Sequence, residues 1–196
     1  MRNIIMFDQN KDSYSGESSY TYVDKLVKNK DKELMIISPY ISNYYTRMLL
    51  KQANSKRIRV ITSESSMSYR DSKLSKLVVS GIKGYIKAII FLIILDIISI
   101  YLQFNYTTIA LSAIILILSL FSYLRHKNQK RNLQVKVIRN KFVHEKMYIA
   151  KDTAIIGSAN LTYKGMHKNV EHIEIIRDKE KINSLKTHFE EMWRNN

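Results

Sequence analysis

Hydrophobic and polar positions alternate along the chain in a way that predicts a mixed succession of helices and strands. The first part reads as helix Ser18 to Lys28, strand Glu33 to Ile37, helix Asn43 to Gln52 and strand Arg57 to Ile61. A polar, serine-rich linker follows from Thr62 to Tyr69, where Ser68 and Asp71 have the spacing of a helix cap. Leu74, Leu77, Val78 and Ile82 then mark an apolar stripe. Beyond residue 130 the pattern predicts strands at Gln134 to Arg139, Lys146 to Ala150, Thr153 to Ile156 and Glu171 to Arg177. A last helix spans Lys179 to Arg194, with Ile182, Leu185, Phe189 and Trp193 on its buried face. Strands alternating with helices imply an α/β layered sheet with flanking helices. No internal repeat interrupts it.

Between these halves the pattern changes. Ile86 to Leu102 is almost wholly apolar, with Lys87 at its start and Asp96 inside. After the polar break from Gln103 to Thr108, Ile109 to Leu124 is apolar again. Each run is near the short end of the roughly 17–25 residues that cross a bilayer. Two such runs joined by a short break predict a two-helix transmembrane hairpin over 82–125. It would be inserted into one domain made of residues 1–80 and 130–196. Lys73, Lys76, Lys83 and Lys87 precede it, and Arg125, Lys127, Lys130 and Arg131 follow. The positive-inside rule then places both ends, and the domain, in the cytoplasm. The alternative, a pair of buried core helices, is disfavoured because so small a domain cannot cover two helices apolar on every face. Asp96 is costly in a bilayer and is expected to find Ser99, Ser112, Ser119 or a second copy of the chain. The N-terminus, Met1 to Asp8, lacks the apolar core of a signal peptide, so the hairpin itself is expected to direct insertion.

Candidate chemistry gathers in the second half. His144 and Lys146 stand two residues apart on a strand-like run, so both side chains share one face. The hairpin through Thr153 to Ile156 brings Gly157-Ser158-Ala159-Asn160 back beside them. An imidazole, an ammonium, a hydroxyl and a carboxamide are therefore expected to converge on a phosphate-sized pocket. This segment resembles the HKD motif of the phospholipase D superfamily, H-x-K-x4-D-x6-G-S-x-N. Asn169-Val170-Glu171 resembles a downstream Asn-x-Glu of that family. Ile37-Ser38-Pro39-Tyr40-Ile41 and Phe189-Glu190-Glu191-Met192-Trp193 are weaker matches. Two departures stand out: Lys151 occupies the family Asp position, with Asp152 one residue late, and the stretch to Gly157 is one residue short. Asp152 serves as a variant acid only if the tight turn re-aims it.

The resemblance implies a metal-independent hydrolase of phosphodiesters. His144 would attack phosphorus and form a phosphohistidine, a role suited to a side chain that titrates near neutrality. Lys146 and Asn160 would bind the non-bridging phosphate oxygens, Ser158 would add a hydroxyl contact and Glu171 would orient the imidazole. Because the chain carries one HxK, the second catalytic histidine would come from a homodimer, where a two-fold axis brings both copies of His144 to one site.

Charge narrows the substrate less than its size suggests. A formal net charge of +15 points to polyanionic partners, either nucleic acid or an anionic phospholipid surface. The lysines are scattered, however, and the composition rich in Lys, Asn and Ile is what an AT-rich genome would encode. Absence of cysteine excludes disulfides and thiol catalysis. No paired-histidine spacing suggests a metal site, and no cofactor is expected. His126, His167, His172 and His188 read as solvated or packed, with His172 of interest as a neighbour of Glu171. Tyr40, Tyr44 and Tyr45 have the chemistry to stack on bases. The expected function is a membrane-anchored endonuclease. Its alternatives are a phospholipase D-type hydrolase of membrane phospholipids such as cardiolipin, and an inactive HKD module that binds nucleic acid or anionic lipid.

Overall fold

The computed structural model describes residues 12–63, 89–91, 93–94, 96–98, 106–139 and 141–195. Its elements in chain order are β1 (Ser13–Gly16), α1 (Tyr20–Lys28), β2 (Glu33–Ile37), α2 (Asn43–Gln52), β3 (Arg57–Ser63) and α3 (Tyr106–Asn132). There follow β4 (Leu133–Ile138), β5 (Met147–Ile149), β6 (Ala154–Gly157), α4 (Tyr163–His167), β7 (Glu171–Ile176) and α5 (Lys179–Asn195). The seven strands form one sheet in the order β1-β7-β6-β5-β2-β3-β4. β2, β3 and β4 run parallel, whereas β5, β6, β7 and β1 join as antiparallel neighbours.

Both faces of the sheet are covered, which explains why central β2 is apolar at successive positions rather than alternate ones. Leu34 and Ile36 point to the α1–α2 layer, where they pack with Val23, Val27, Tyr45 and Leu49. Met35 and Ile37 point the other way, toward Ile182 and Phe189 of α5. Arg59 of β3 also reaches the α5 layer. Its guanidinium donates to Glu190 at 2.6 and 2.9 Å and to Glu33 at 3.1 Å, beneath the Phe189 and Trp193 rings.

The expected strands and helices of both halves form, with shifts at their ends. β3 extends through Thr62 and Ser63, which the sequence assigned to a linker, because their backbones pair with Val137 and Ile138 of β4. Edge strand β1 and the single-turn helix α4 carry no hydrophobic period long enough to reveal them. His167 consequently lies on a helix.

The central segment departs most from expectation. Among the described residues no helix is long and apolar enough to cross a membrane. The two-span hairpin at 82–125 is therefore not found there, and much of its first arm lies outside the described residues. Residues 106–108 of the expected polar break are already helical, and α3 continues through the basic run Arg125 to Arg131. The core-helix alternative fails as well: Ile117 and Phe121 are 64% and 66% exposed, and neighbours on every face of the helix are open too. Asp96 Oδ1 is buried without a hydrogen-bond partner among the described residues. The whole segment belongs to the crossover that joins β3 to its parallel neighbour β4, at the edge of the sheet.

Candidate active site

Strand direction decides where the chemistry lies. Because β2 is antiparallel to β5, with Ile37 opposite Met147, the end of β2 and the approach to β5 share one end of the sheet. β6 finishes and β7 begins at that same end, where Gly157 pairs with Ile173. The loop after β2, residues 144–146, residues 157–160 and Glu171 therefore meet without any long-range distortion.

His144 is exposed and Lys146 is buried. Lys146 Nζ lies 3.3 Å from His144 Nε2 and donates to the His144 carbonyl at 2.5 Å. Burial lowers the pKa of the Lys146 ammonium, and the nearby Glu171 carboxylate opposes that shift. Intervening Glu145 faces the opposite side, where its Oε2 lies 2.9 Å from His188 Nε2. The period-two reading of His144 and Lys146 thus holds at the level of side chains.

Glycine at 157 is required sterically. Its φ of +155° is one that L side chains rarely adopt, and an added Cβ would sit 2.1 Å from the His172 carbonyl oxygen. That close approach lets the Gly157 N–H reach Lys146 O at 3.2 Å and the Ser158 N–H reach His172 O at 2.9 Å. Ser158 Oγ then donates to Glu171 Oε2 and accepts from the His172 N–H at 3.0 Å. Beneath the loop, the buried Tyr148 hydroxyl donates to Ala159 O at 2.7 Å. From the β2 side, Ser38 Oγ accepts the Leu161 N–H at 3.0 Å, and Ser42 Oγ accepts the Tyr163 N–H at 3.1 Å. Ser38 follows β2 in the segment singled out by its sequence, and its role is to pin the second loop.

Asn160 keeps an unused group: its Oδ1 is buried with no hydrogen-bond partner among the described residues. Rotation of the amide by 180° would put the N–H₂ donor at that position instead. Glu171 differs from expectation. Its two oxygens are taken by Ser158 and by Asn169 Nδ2 at 3.1 Å, so it braces the loop, while the contact to the imidazole comes from Lys146.

Asp152 is not part of this arrangement. Lys151 and Asp152 form the tip of the β5–β6 hairpin, with Lys151 five residues along the chain from Lys146 and so roughly 16 Å away on an extended path. Both are exposed and face each other at 3.8 Å. The tight turn keeps them at the far end of the sheet, where Asp31 accepts the Lys151 N–H at 3.1 Å. The carboxylate holding this turn therefore comes from the chain before β2.

Other histidines are accounted for locally. His172 Nδ1 lies 2.6 Å from Ser15 Oγ, on the face away from Glu171, and serves the site through its backbone. His167 is stacked between Tyr20 and Tyr163 at 4.1 and 4.5 Å, and burial lowers its pKa. Sequence reasoning did not single out Phe142. It stands two residues before His144, and that same spacing was its available signal. Its ring centroid lies 5.9 Å from the imidazole and 6.3 Å from the ring of Tyr40.

The fold and this end of the sheet define a class of α/β proteins in which a histidine and a lysine stand beside a Gly-Ser-x-Asn loop. The chain belongs to the phospholipase D superfamily: residues 23–193 match the family described as "Cardiolipin synthase, PLD-like domain". It is similar to the crystal structure of Nuc, a phospholipase D family member from Salmonella typhimurium. The identity there is 14%, the TM-score 0.57, and the match covers 92% of this chain and 93% of that one. NucT from Helicobacter pylori is similar at 13% identity and a TM-score of 0.53, covering 89% and 87%. At these identities the likeness shows the fold. No curated protein matches the chain. Membership supports phosphodiesterase-type chemistry in general.

Proposed function

We propose that the protein is a metal-independent endonuclease that works as a homodimer through a phosphohistidine intermediate. The observation that carries this reading is the placement of Lys146 Nζ 3.3 Å from His144 Nε2, at the mouth of a loop held by Ser158 and Glu171. A phosphodiester seated against Lys146 and Asn160 has its negative oxygens facing fixed donors. Nε2 of His144 attacks phosphorus, the P–O bond to the leaving group breaks, and His144 of the second copy gives that oxygen its proton. Water then attacks the phosphohistidine and passes a proton to the second imidazole. This releases a phosphomonoester and regenerates both histidines.

Net charge of +15 favours a nucleic acid substrate. Phospholipid is the second reading, favoured by the exposed isoleucines and phenylalanine of α3. That apolar surface supports attachment to a bilayer, with the catalytic domain on the cytoplasmic side, where the flanking Lys and Arg residues favour it. An inactive binding module is the third reading; Lys151 at the family Asp position lies at the far end of the sheet and does not by itself favour it.

The test is cleavage of labelled single-stranded DNA by detergent-purified protein in excess EDTA, with His144→Ala in parallel. EDTA-resistant cleavage that the substitution abolishes supports the endonuclease. If neither protein cleaves DNA but the unaltered chain hydrolyses cardiolipin vesicles, the phospholipid reading replaces it. Binding without turnover on either substrate leaves the inactive module.

A further inference from the structure

Two aromatic rings stand open beside the site. Tyr40, on the loop after β2, is 43% exposed, and Phe142, on the approach to β5, is 48% exposed. Their centroids are 6.3 Å apart with the planes tilted by 58°, and Phe142 leads directly to the His144 imidazole at 5.9 Å. Both rings belong to segments that the fold holds firmly. Ser38 Oγ donates to Tyr40 O at 2.8 Å, and Thr62 Oγ1 donates to Pro39 O at 3.0 Å, while Val143 next to Phe142 is buried in the α5-side core. The ledge is thus preorganised and lies about one nucleotide's reach from the attacking nitrogen.

We infer that Tyr40 and Phe142 form a subsite for an unpaired nucleobase next to the scissile phosphate, which makes the protein selective for single-stranded over duplex substrate. This inference rests on the nucleic acid reading above. In a duplex both faces of a base are covered by its neighbours. An unpaired base offers a free face that stacks on an aromatic ring irrespective of sequence. A quaternary ammonium headgroup also binds aromatic faces. Two rings forming one open ledge do not enclose such a cation, and a chain of net charge +15 opposes its approach while attracting a polyanion.

The experiment compares three labelled substrates of equal length: a single strand, the same strand in duplex, and a single strand of abasic sites that retains every phosphate. It uses the full chain and the double variant Tyr40→Leu/Phe142→Leu. Both positions are exposed, and a thermal melt verifies that the variant is folded. The unaltered chain is expected to cleave the base-bearing strand about tenfold more efficiently than the abasic strand, chiefly through KM, and the double variant to lose that preference. Equal cleavage of both strands by the unaltered chain overturns the subsite while leaving the endonuclease standing. A preference retained in the folded double variant does the same. No cleavage of any strand, with turnover of phosphatidylcholine vesicles instead, overturns both readings and assigns the ledge to a choline headgroup.

Discussion

Lys146 Nζ and His144 Nε2 stand 3.3 Å apart on one face of the chain, the first carried by a buried residue and the second by an exposed one. An ammonium that donates to Nε2 requires the neutral imidazole to carry its proton on Nδ1, and the Nε2 lone pair becomes free to attack once the ammonium turns to a phosphate. A phosphate entering the site competes for that same N–H. Replacing Lys146 with Met is expected to lower kcat by about 10²–10³, the usual effect of removing one preorganised donor. Single-turnover cleavage measures it, and an unchanged rate would exclude Lys146 from the chemistry.

Activity should also respond to base. Burial lowers the Lys146 pKa, so the ammonium is lost at a lower pH than for an ordinary lysine. The alkaline limb of kcat/KM is therefore expected below 10.5, the ordinary lysine value. A guanidinium does not titrate in this range. Lys146→Arg, if it retains measurable activity, should push that limb upward; a limb that stays in place would assign it to another group.

Gly157→Ala tests the steric account of the loop. A methyl group 2.1 Å from the His172 carbonyl must part β6 from β7 or move Ser158 away from Glu171. Backbone strain alone costs about 1–3 kcal/mol. The expected result is a lower melting temperature together with loss of cleavage. Full activity at unchanged stability would show that the loop does not need this conformation.

On the opposite face, the Arg59 guanidinium donates to Glu190 and holds its carboxyl below the usual carboxylate range, against the effect of burial. A depressed carboxyl pKa contributes stability that is present above the unfolded value and lost as pH falls through the folded one. Glu190→Gln should thus cost about 1–2 kcal/mol near neutrality, less than a fully buried pair because the Glu190 side chain is 33% exposed. Urea midpoints at neutral and acid pH should show the gap between variant and parent narrowing in acid. A constant gap would mean that the ion pair is not its source.

Legibility in the sequence followed the range of the forces involved. Strand β2 and helix α2 were readable to the residue, because hydrophobic period and length agree there. The closeness of His144 to Lys146, and of Lys146 to the turn at Gly157, was readable because strand alternation and one short hairpin bring them together. Glu171 was found, but its partners were not: whether a carboxylate takes an imidazole or a serine depends on side-chain directions set by Gly157. Asp152 illustrates the converse, since being one residue from the expected position says nothing about which end of the sheet a turn occupies. Phe142 carried a readable signal that its apolar character concealed, a hydrophobic side chain being expected to pack inward.

Joining β3 to β4 through the long central segment has consequences for how the protein is made and how it diverges. Ile58 and Leu133 are paired neighbours in the sheet, yet the ribosome releases the second long after the first. The edge of the sheet cannot be completed until everything between them has been synthesised. Closing a flexible loop becomes harder only slowly as it lengthens, by about 0.6 kcal/mol for each doubling. The central segment is therefore free to grow, shrink or change character over evolutionary time, while residues 144–171, encoded entirely downstream of it, keep their geometry.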